Sequence, residues 1–203
     1  MRLTETQREV LELLVRSGTT EGFYLAGGTA LMMRYGHRFS GDFDFFSLPG
    51  IDVDFARLDA TVGEAKEILE LRNDTLVFKV RSVLCSFFRY PYDLLRPAEI
   101  EDEYGVVIAS DEDIAAMKAV AIIQRGAKKD FYDLWCLMRR RGWGVREVFS
   151  LCREKYGDMF NPSLLLKALV FFDDAETERV KDIEAEWESV KEYFVGLVKS
   201  LVN

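Results

Sequence analysis

Residues 26–47 read AGGTALMMRYGHRFSGDFDFFS and place a Gly-Gly-Thr turn, three basic side chains (Arg34, His37 and Arg38) and two aspartates (Asp42 and Asp44) in one short run. The strand FYLAGG enters a glycine turn, TALMMRYG continues as a two-turn helix, and FDFFS forms a second strand. A turn of Gly27 and Gly28 lets backbone N–H groups approach an anion closely, because glycine has no Cβ, and the helix that follows favours negative charge at its start. Two glycines also serve ordinary strand-to-helix turns, and Thr29 can either donate its hydroxyl to a phosphate or cap the helix. Asp42 and Asp44 sharpen the reading. Residues i and i+2 of a strand share a face, so the two carboxylates lie together while Phe43 and Phe45 turn to the core. Like charges so placed call for a cation, and Mg²⁺ suits oxygen donors of this kind. Metals held this way activate an attacking hydroxyl and neutralise a departing pyrophosphate.

Outward from this run, composition sets the frame. A chain of 203 residues, 49% hydrophobic and 13% aromatic, is long enough to bury a substantial core as one large domain or two small ones. The longest stretch free of charge, Gly22 to Met33, is shorter than the roughly 18–20 apolar residues a membrane helix needs. The opening MRLTETQREV brings in Glu5, Arg8 and Glu9 at once, unlike a secretory signal, and the expected location is the cytoplasm, with no membrane partner. Cys85, Cys136 and Cys152 lack the spacing of a zinc site or an even disulfide count and read as reduced packing residues. A net charge of −8 excludes a surface coated for nonspecific nucleic-acid binding but not a local basic patch. Such a patch is offered by Lys118, Arg125, Lys128, Lys129, Arg139, Arg140, Arg141 and Arg146, flanked by acidic segments that read as solvated helix faces and caps.

The chain divides into two halves by pattern. Thr4 with Gln7 is a capping box opening a helix to about Ser17; after the strand–helix–strand run, residues 52–72 suggest a helix, DTLVFKV and SVLCSFFRY two strands, and GVVIA a fifth. From Ser110 the period becomes helical: SDEDIAAMKAVAIIQR, KKDFYDLWCLMRRRG, VREVFSLCREKYG, NPSLLLKALVFF and a final DIEAEWESVKEYFVGLVKSLV. The expected fold class is therefore α/β (α+β), with an α/β domain over residues 1–110 and an all-helical domain over 111–203 that completes a cleft. Lys118 and Arg125 are seven apart and share a helical face, and an ammonium beside a guanidinium suits a triphosphate. Asp130 and Asp133 also share a face; surface ion pairs with Lys128 and Lys129 are the plainer reading of that cluster.

The run LAGGTALMMRYGHRFSGDFDFF, with DIAAMKAVAIIQRGAKKDFYDLWCLM further on, resembles the AbiEii-type nucleotidyltransferases, toxins of toxin–antitoxin and abortive-infection systems within the polymerase-beta-like superfamily. The resemblance spans about Phe23 to Met138. It implies a mixed sheet with helices, and phosphate binding by Gly27, Gly28 and Thr29. It implies metal binding by Asp42 and Asp44, with Lys118 matching the helical-motif lysine. Lys129, Asp130 and Asp133 match a basic-Asp-x-x-Asp element whose first aspartate contributes to catalysis. The implied reaction moves a nucleoside monophosphate from an NTP to an acceptor hydroxyl with Mg²⁺ as cofactor. The family leans toward RNA acceptors, tRNA 3′ ends in particular, with an antitoxin as a further partner. Transfer to a protein or an aminoglycoside-like small molecule, or a degenerate nucleotide-binding module, are the alternatives.

One departure stands out. Where many relatives in the superfamily carry a third carboxylate on a later strand, SVLCSFFRY offers Ser86, leaving Asp130, Asp133 or Asp93 to supply that function. On these readings Arg34, Arg38, Lys118 and Arg125 are the nucleotide contacts. His37, Lys128, Lys129 and Asp133 are acceptor contacts, with Arg139 to Arg141 as an extension. Tyr90 and Tyr92, around Pro91, either stack on a nucleobase or pack against the core.

Overall fold

Alternating burial along short apolar runs builds the first unit, residues 1–110. The structure, a computed structural model, describes residues 2–55, 57, 58, 63 and 66–202. Among these residues β1 (Phe23–Ala26), β2 (Phe43–Ser47), β3 (Glu67–Leu71), β4 (Thr75–Val80), β5 (Val83–Phe88), β6 (Glu99–Glu101) and β7 (Val106–Ile108) form one mixed sheet, in the order β3-β4-β5-β2-β1-β7-β6. β1 runs antiparallel to β2, whereas β2 pairs with β5 and β1 with β7 in parallel.

The register fixes which side chains meet. Ala26 lies opposite Asp44, and Asp44 opposite Ser86, so these three form one row across the central strands. One pleat away on the other face, Phe43, Phe45, Cys85 and Phe87 are fully buried. Phe45 stacks on Phe87 with ring centroids 4.7 Å apart and Phe78 lies 5.8 Å from Phe87, pairs worth about 0.5–1.5 kcal/mol each beyond their buried area. The helix α1 (Glu5–Arg16) lies beside β5 and buries Val10, Leu11 and Leu14. Its capping box forms as expected: the Gln7 amide donates to Thr4 Oγ1 at 3.2 Å, and the Thr4 amide to Gln7 Oε1 at 3.1 Å.

One sequence expectation fails here, and one strand was not foreseen. Of the helix expected over 52–72, residues 67–71 are instead strand β3, which pairs with β4; residues 56, 59–62, 64 and 65 lie outside the described residues. EILEL holds too few residues for a stable isolated helix, and its pairing with β4 decides its conformation. β6, only three residues long, carried no periodic signal at all.

The second unit, residues 111–203, is helical. It holds α3 (Asp111–Arg125), α4 (Lys128–Arg141), α5 (Val145–Tyr156), α6 (Pro162–Ala168), α7 (Asp173–Glu176) and α8 (Trp187–Val202). Local chemistry sets the boundaries. α4 ends on Gly142 in the left-handed conformation, and Asn161 Oδ1 accepts from the Ser163 amide with Pro162 in the first turn of α6. The core gathers Phe131, Phe172, Trp187 and Phe194. Lys155 Nζ reaches Asp113 Oδ1 at 2.6 Å with both side chains fully buried, and Arg141 Nε reaches Asp111 Oδ2 at 2.7 Å. Among the described residues no helix is long and apolar enough to cross a membrane.

Candidate active site

In the first unit, β1 passes straight into α2 (Gly27–Tyr35), so the glycines occupy the first helical turn rather than a loop before it. Gly27 has φ +73°, a conformation that side-chain-bearing residues adopt at a cost, and a Cβ there would stand 3.2 Å from Asp44 Oδ2. A Cβ on Gly28 would stand 2.9 Å from Ser40 Oγ and closer still to the Arg38 guanidinium. Glycine is thus required twice, once by the carboxylate and once by the arginine. The N-cap, Ala26, has no side-chain capping bond, so the positive end of α2, the Arg38 guanidinium and the Asp44 carboxylate are gathered at one turn.

The loop before β2 is held in place by polar staples. Thr29 is buried; its hydroxyl donates to the Asp42 carbonyl oxygen and accepts from the Ser40 hydroxyl at 2.9 Å. Gln7 Nε2 donates to the carbonyls of Ser40 at 2.8 Å and Gly41 at 3.2 Å, so the capping residue of α1 also anchors this loop. The Ser40 amide donates to Met32 Sδ, and Arg38 Nη1 to the Phe39 carbonyl at 2.9 Å. Asp42 is then presented to solvent just before β2, while Asp44 is half-buried on it. Burial first, and then the charges of Asp42 and Asp44, push the Cys85 thiol up to about 12. That shift registers the negative field of the pair on the strand beside it.

In the second unit, Lys118, Arg125, Asp130 and Asp133 come together across α3 and α4. Lys118 Nζ reaches Asp130 Oδ1 at 2.8 Å and Asp133 Oδ2 at 2.7 Å. Arg125 grips Asp130 with Nε to Oδ2 at 2.6 Å and Nη2 to Oδ1 at 2.9 Å. Both carboxylates are fully buried, whereas 56% of the Arg125 side chain is exposed. Burial alone would raise the Asp130 carboxyl, but Lys118 and Arg125 together outweigh it and hold it below the ordinary carboxylate range.

Several sequence assignments change. Lys128 is 1% exposed, with Nζ 3.0 Å from Glu184 Oε1 and 5.1 Å from the centre of the Trp187 ring, so it braces the helical core rather than a basic surface. Arg34 Nη2 donates to the Ala109 carbonyl at 2.9 Å and ties α2 to the end of β7. Asp133 is buried against Lys118 and is no surface contact, and Arg141 is drawn to Asp111. Lys129, Arg139 and Arg140 are exposed, and His37 is half-buried. Asp93 lies in the loop after β5. Ser40 and Gln7 were missed: Ser40 stands within the motif but is identified only by its contact with Thr29, and Gln7, far from it in sequence, only by its bonds to the Ser40 and Gly41 carbonyls.

Among the described residues no group of three or more His, Cys, Asp or Glu side chains is gathered in a metal-holding arrangement. Asp42 and Asp44 are nevertheless hard oxygen donors beside a glycine turn with no Cβ. Mg²⁺ is ordinarily held by one or two carboxylates, with water and substrate phosphates supplying the rest. The pair fits that role.

A protein of Aquifex aeolicus (strain VF5), aq_aa25, is 48% identical over 204 residues, spanning all of this chain and 98% of the relative. JHP933 from Helicobacter pylori shares the fold at a TM-score of 0.51 and 16% identity, over 98% of each chain. MenT4, a nucleotidyltransferase toxin of Mycobacterium tuberculosis H37Rv, shares it at a TM-score of 0.53 and 17% identity, over 97% of this chain and 86% of that one. The family model for the nucleotidyl transferase AbiEii toxin of type IV toxin–antitoxin systems matches residues 9–200, and the chain belongs to that family.

Proposed function

We propose that this nucleotidyltransferase moves a nucleoside monophosphate from an NTP to the 3′ hydroxyl of an RNA, with tRNA as the preferred class, and uses Mg²⁺. The observation that carries the reading is the glycine turn, where the uncapped start of α2, Arg38 and Asp44 meet at a backbone with no Cβ in the way. Amides of Gly27 and Gly28 supply donors to the triphosphate, and Arg38 adds a fixed cation. Asp42 and Asp44 would hold Mg²⁺; the bound ion would neutralise charge on the transferring phosphoryl group and the departing pyrophosphate.

The reaction forms a bond between the acceptor oxygen and the α-phosphorus, and breaks the bond from that phosphorus to the bridging oxygen, whose electron pair leaves with pyrophosphate. The acceptor hydroxyl loses its proton to solvent water. Asp130 is a weak base for that proton, because Lys118 and Arg125 hold its carboxyl ionised. We therefore assign it the task of fixing those two cations within the helical unit. Ser86 lies level with Asp44, where the family resemblance leads to the expectation of a carboxylate, so Asp42 and Asp44 would be the metal-holding set. We place the reaction in the cytoplasm, where NTP and tRNA are found, and an antitoxin is the further partner that the family's description brings.

The test is direct. Purified protein is incubated with each α-labelled NTP, Mg²⁺ and whole-cell extract, and the label is followed into RNA, protein and metabolites. The expected result is label at an RNA 3′ end from one preferred NTP. Label confined to protein or to a small molecule would retain nucleotidyl transfer and discard the RNA acceptor.

A further inference from the structure

A row of aromatic rings crosses the face of the sheet that carries the carboxylates. Phe46 lies two residues beyond Asp44 on β2 and Phe88 two beyond Ser86 on β5, so both rings share the face of Asp44. Tyr24 lies opposite Phe46 on β1. Ring centroids are 5.9 Å apart for Tyr24 and Phe46, 5.4 Å for Phe46 and Phe88, 5.1 Å for Phe46 and Tyr90, and 5.2 Å for Tyr90 and Tyr92. The Tyr90 amide donates to Ser47 Oγ at 2.9 Å and secures the row's outer end to β2. The opposite face shows what a core row looks like here: Phe43, Phe45 and Phe87 are completely buried. Phe46, Phe88, Tyr90 and Tyr92 are each only half-buried. This is a fixed aromatic surface that the protein leaves partly uncovered.

Its position says what it faces. Because β1 runs antiparallel to β2 and leads directly into α2, the glycine turn lies at the Asp42 end of β2. The row begins in the other direction, about 6.6–6.8 Å along the strand from Asp44. In-line phosphoryl transfer puts the leaving group and the attacking oxygen on opposite sides of the phosphorus. With the triphosphate on the glycine turn, the aromatic row lies on the attacking side.

We infer that Phe46, Phe88, Tyr90 and Tyr92 form a stacking platform for the terminal nucleobase of the acceptor, which aims its 3′ hydroxyl at the carboxylate pair. The inference rests on the nucleotidyl-transfer reading above. Stacking tolerates any base, since each has a π-face, so the platform positions the acceptor without selecting its sequence.

The probe is an RNA oligonucleotide ending in 2-aminopurine, whose fluorescence falls on stacking, with an internally labelled oligonucleotide as control. Wild type quenches the terminal probe more than the internal one, a binding readout that needs no turnover. Tyr92→Ala and Tyr90→Leu weaken terminal quenching and raise KM for the RNA about 5- to 150-fold, with KM for NTP unchanged. Tyr90→Phe and Tyr92→Phe restore both, which separates lost stacking from lost folding. Equal quenching of the two probes by wild type overturns the platform. So does unchanged terminal quenching in Tyr92→Ala, even where transfer itself is observed. A defect confined to KM for NTP overturns it too, because the row would then hold the incoming nucleotide. Absence of label transfer by wild type, with terminal quenching intact, instead strikes at the nucleotidyl-transfer reading.

Discussion

Gly28 shows how a single residue ties backbone, packing and chemistry together. Its missing side chain is the space taken by Arg38 and Ser40. Gly28→Ala should therefore displace the Arg38 guanidinium from the turn while the sheet persists. Loss of one charge-assisted bond of about 1.5–3 kcal/mol would weaken NTP binding about 10- to 150-fold, as a calorimetric titration measures. Asp130 makes a different prediction. Its carboxyl is fully buried and held below its ordinary 3.8 by Lys118 and Arg125, after burial has pushed it the other way. A depressed carboxyl stabilises the fold above the unfolded-state value and loses that contribution as pH falls through the folded one. Asp130→Asn should cost about 3–5 kcal/mol at neutral pH, and its gap from wild type in urea melts should hold above about pH 5 and shrink below 3.8. At this scale the sequence named Gly27, Gly28, Asp42 and Asp44 because spacing on a strand–turn–helix is a local property. It misassigned Lys128, because the groups that claim it, Glu184 and Trp187, lie more than fifty residues away in the chain.

Strands and helices differ in how much of themselves they reveal. Five helices from Ser110 onward declared themselves by period and caps, and Gly142 and Pro162 stand where helices stop and start; α7 gave no such signal, and the helix expected from Asp182 begins only at Trp187. β3 and β6 did not, because an edge strand has neither a fully buried face nor a clear alternation: Ile68, Leu69 and Leu71 are all exposed. The β4–β5 hairpin holds a third kind of information. Its two-residue turn, Arg81 and Ser82, has φ of +48° and +72°, values that hairpins of this length require and that glycine or asparagine adopt most readily. Arg81 gains an ion pair with Glu9 of α1, but Ser82 has no such offset in its conformation. Ser82→Gly should therefore stabilise the first unit by about 0.5–1 kcal/mol, raising Tm by a few degrees in calorimetry and leaving transfer unchanged.

The whole chain carries −8, and five basic groups of the helical unit, Lys118, Arg125, Lys128, Arg141 and Lys155, are paired with Asp111, Asp113, Asp130, Asp133 and Glu184. Exposed near the start and end of α4 are Lys129, Arg139 and Arg140, with Arg141 beside them. An RNA must be held by a small set of such contacts. Lys129→Glu and Arg140→Glu should each weaken tRNA binding and lower the slope of log affinity against log salt by about one, with NTP affinity retained. The acidic total was legible from composition, but which cations are spent internally required the fold. The central claim is that the carboxylate pair beside the glycine turn drives nucleotidyl transfer, and single-turnover transfer of labelled nucleotide to RNA by Asp42→Asn and Asp44→Asn tests it most directly. Metal-ion charge stabilisation is worth several kcal/mol, so transfer should fall at least about 100-fold in each variant while the melting temperature stays near that of wild type. Full transfer rates in both variants would contradict the account.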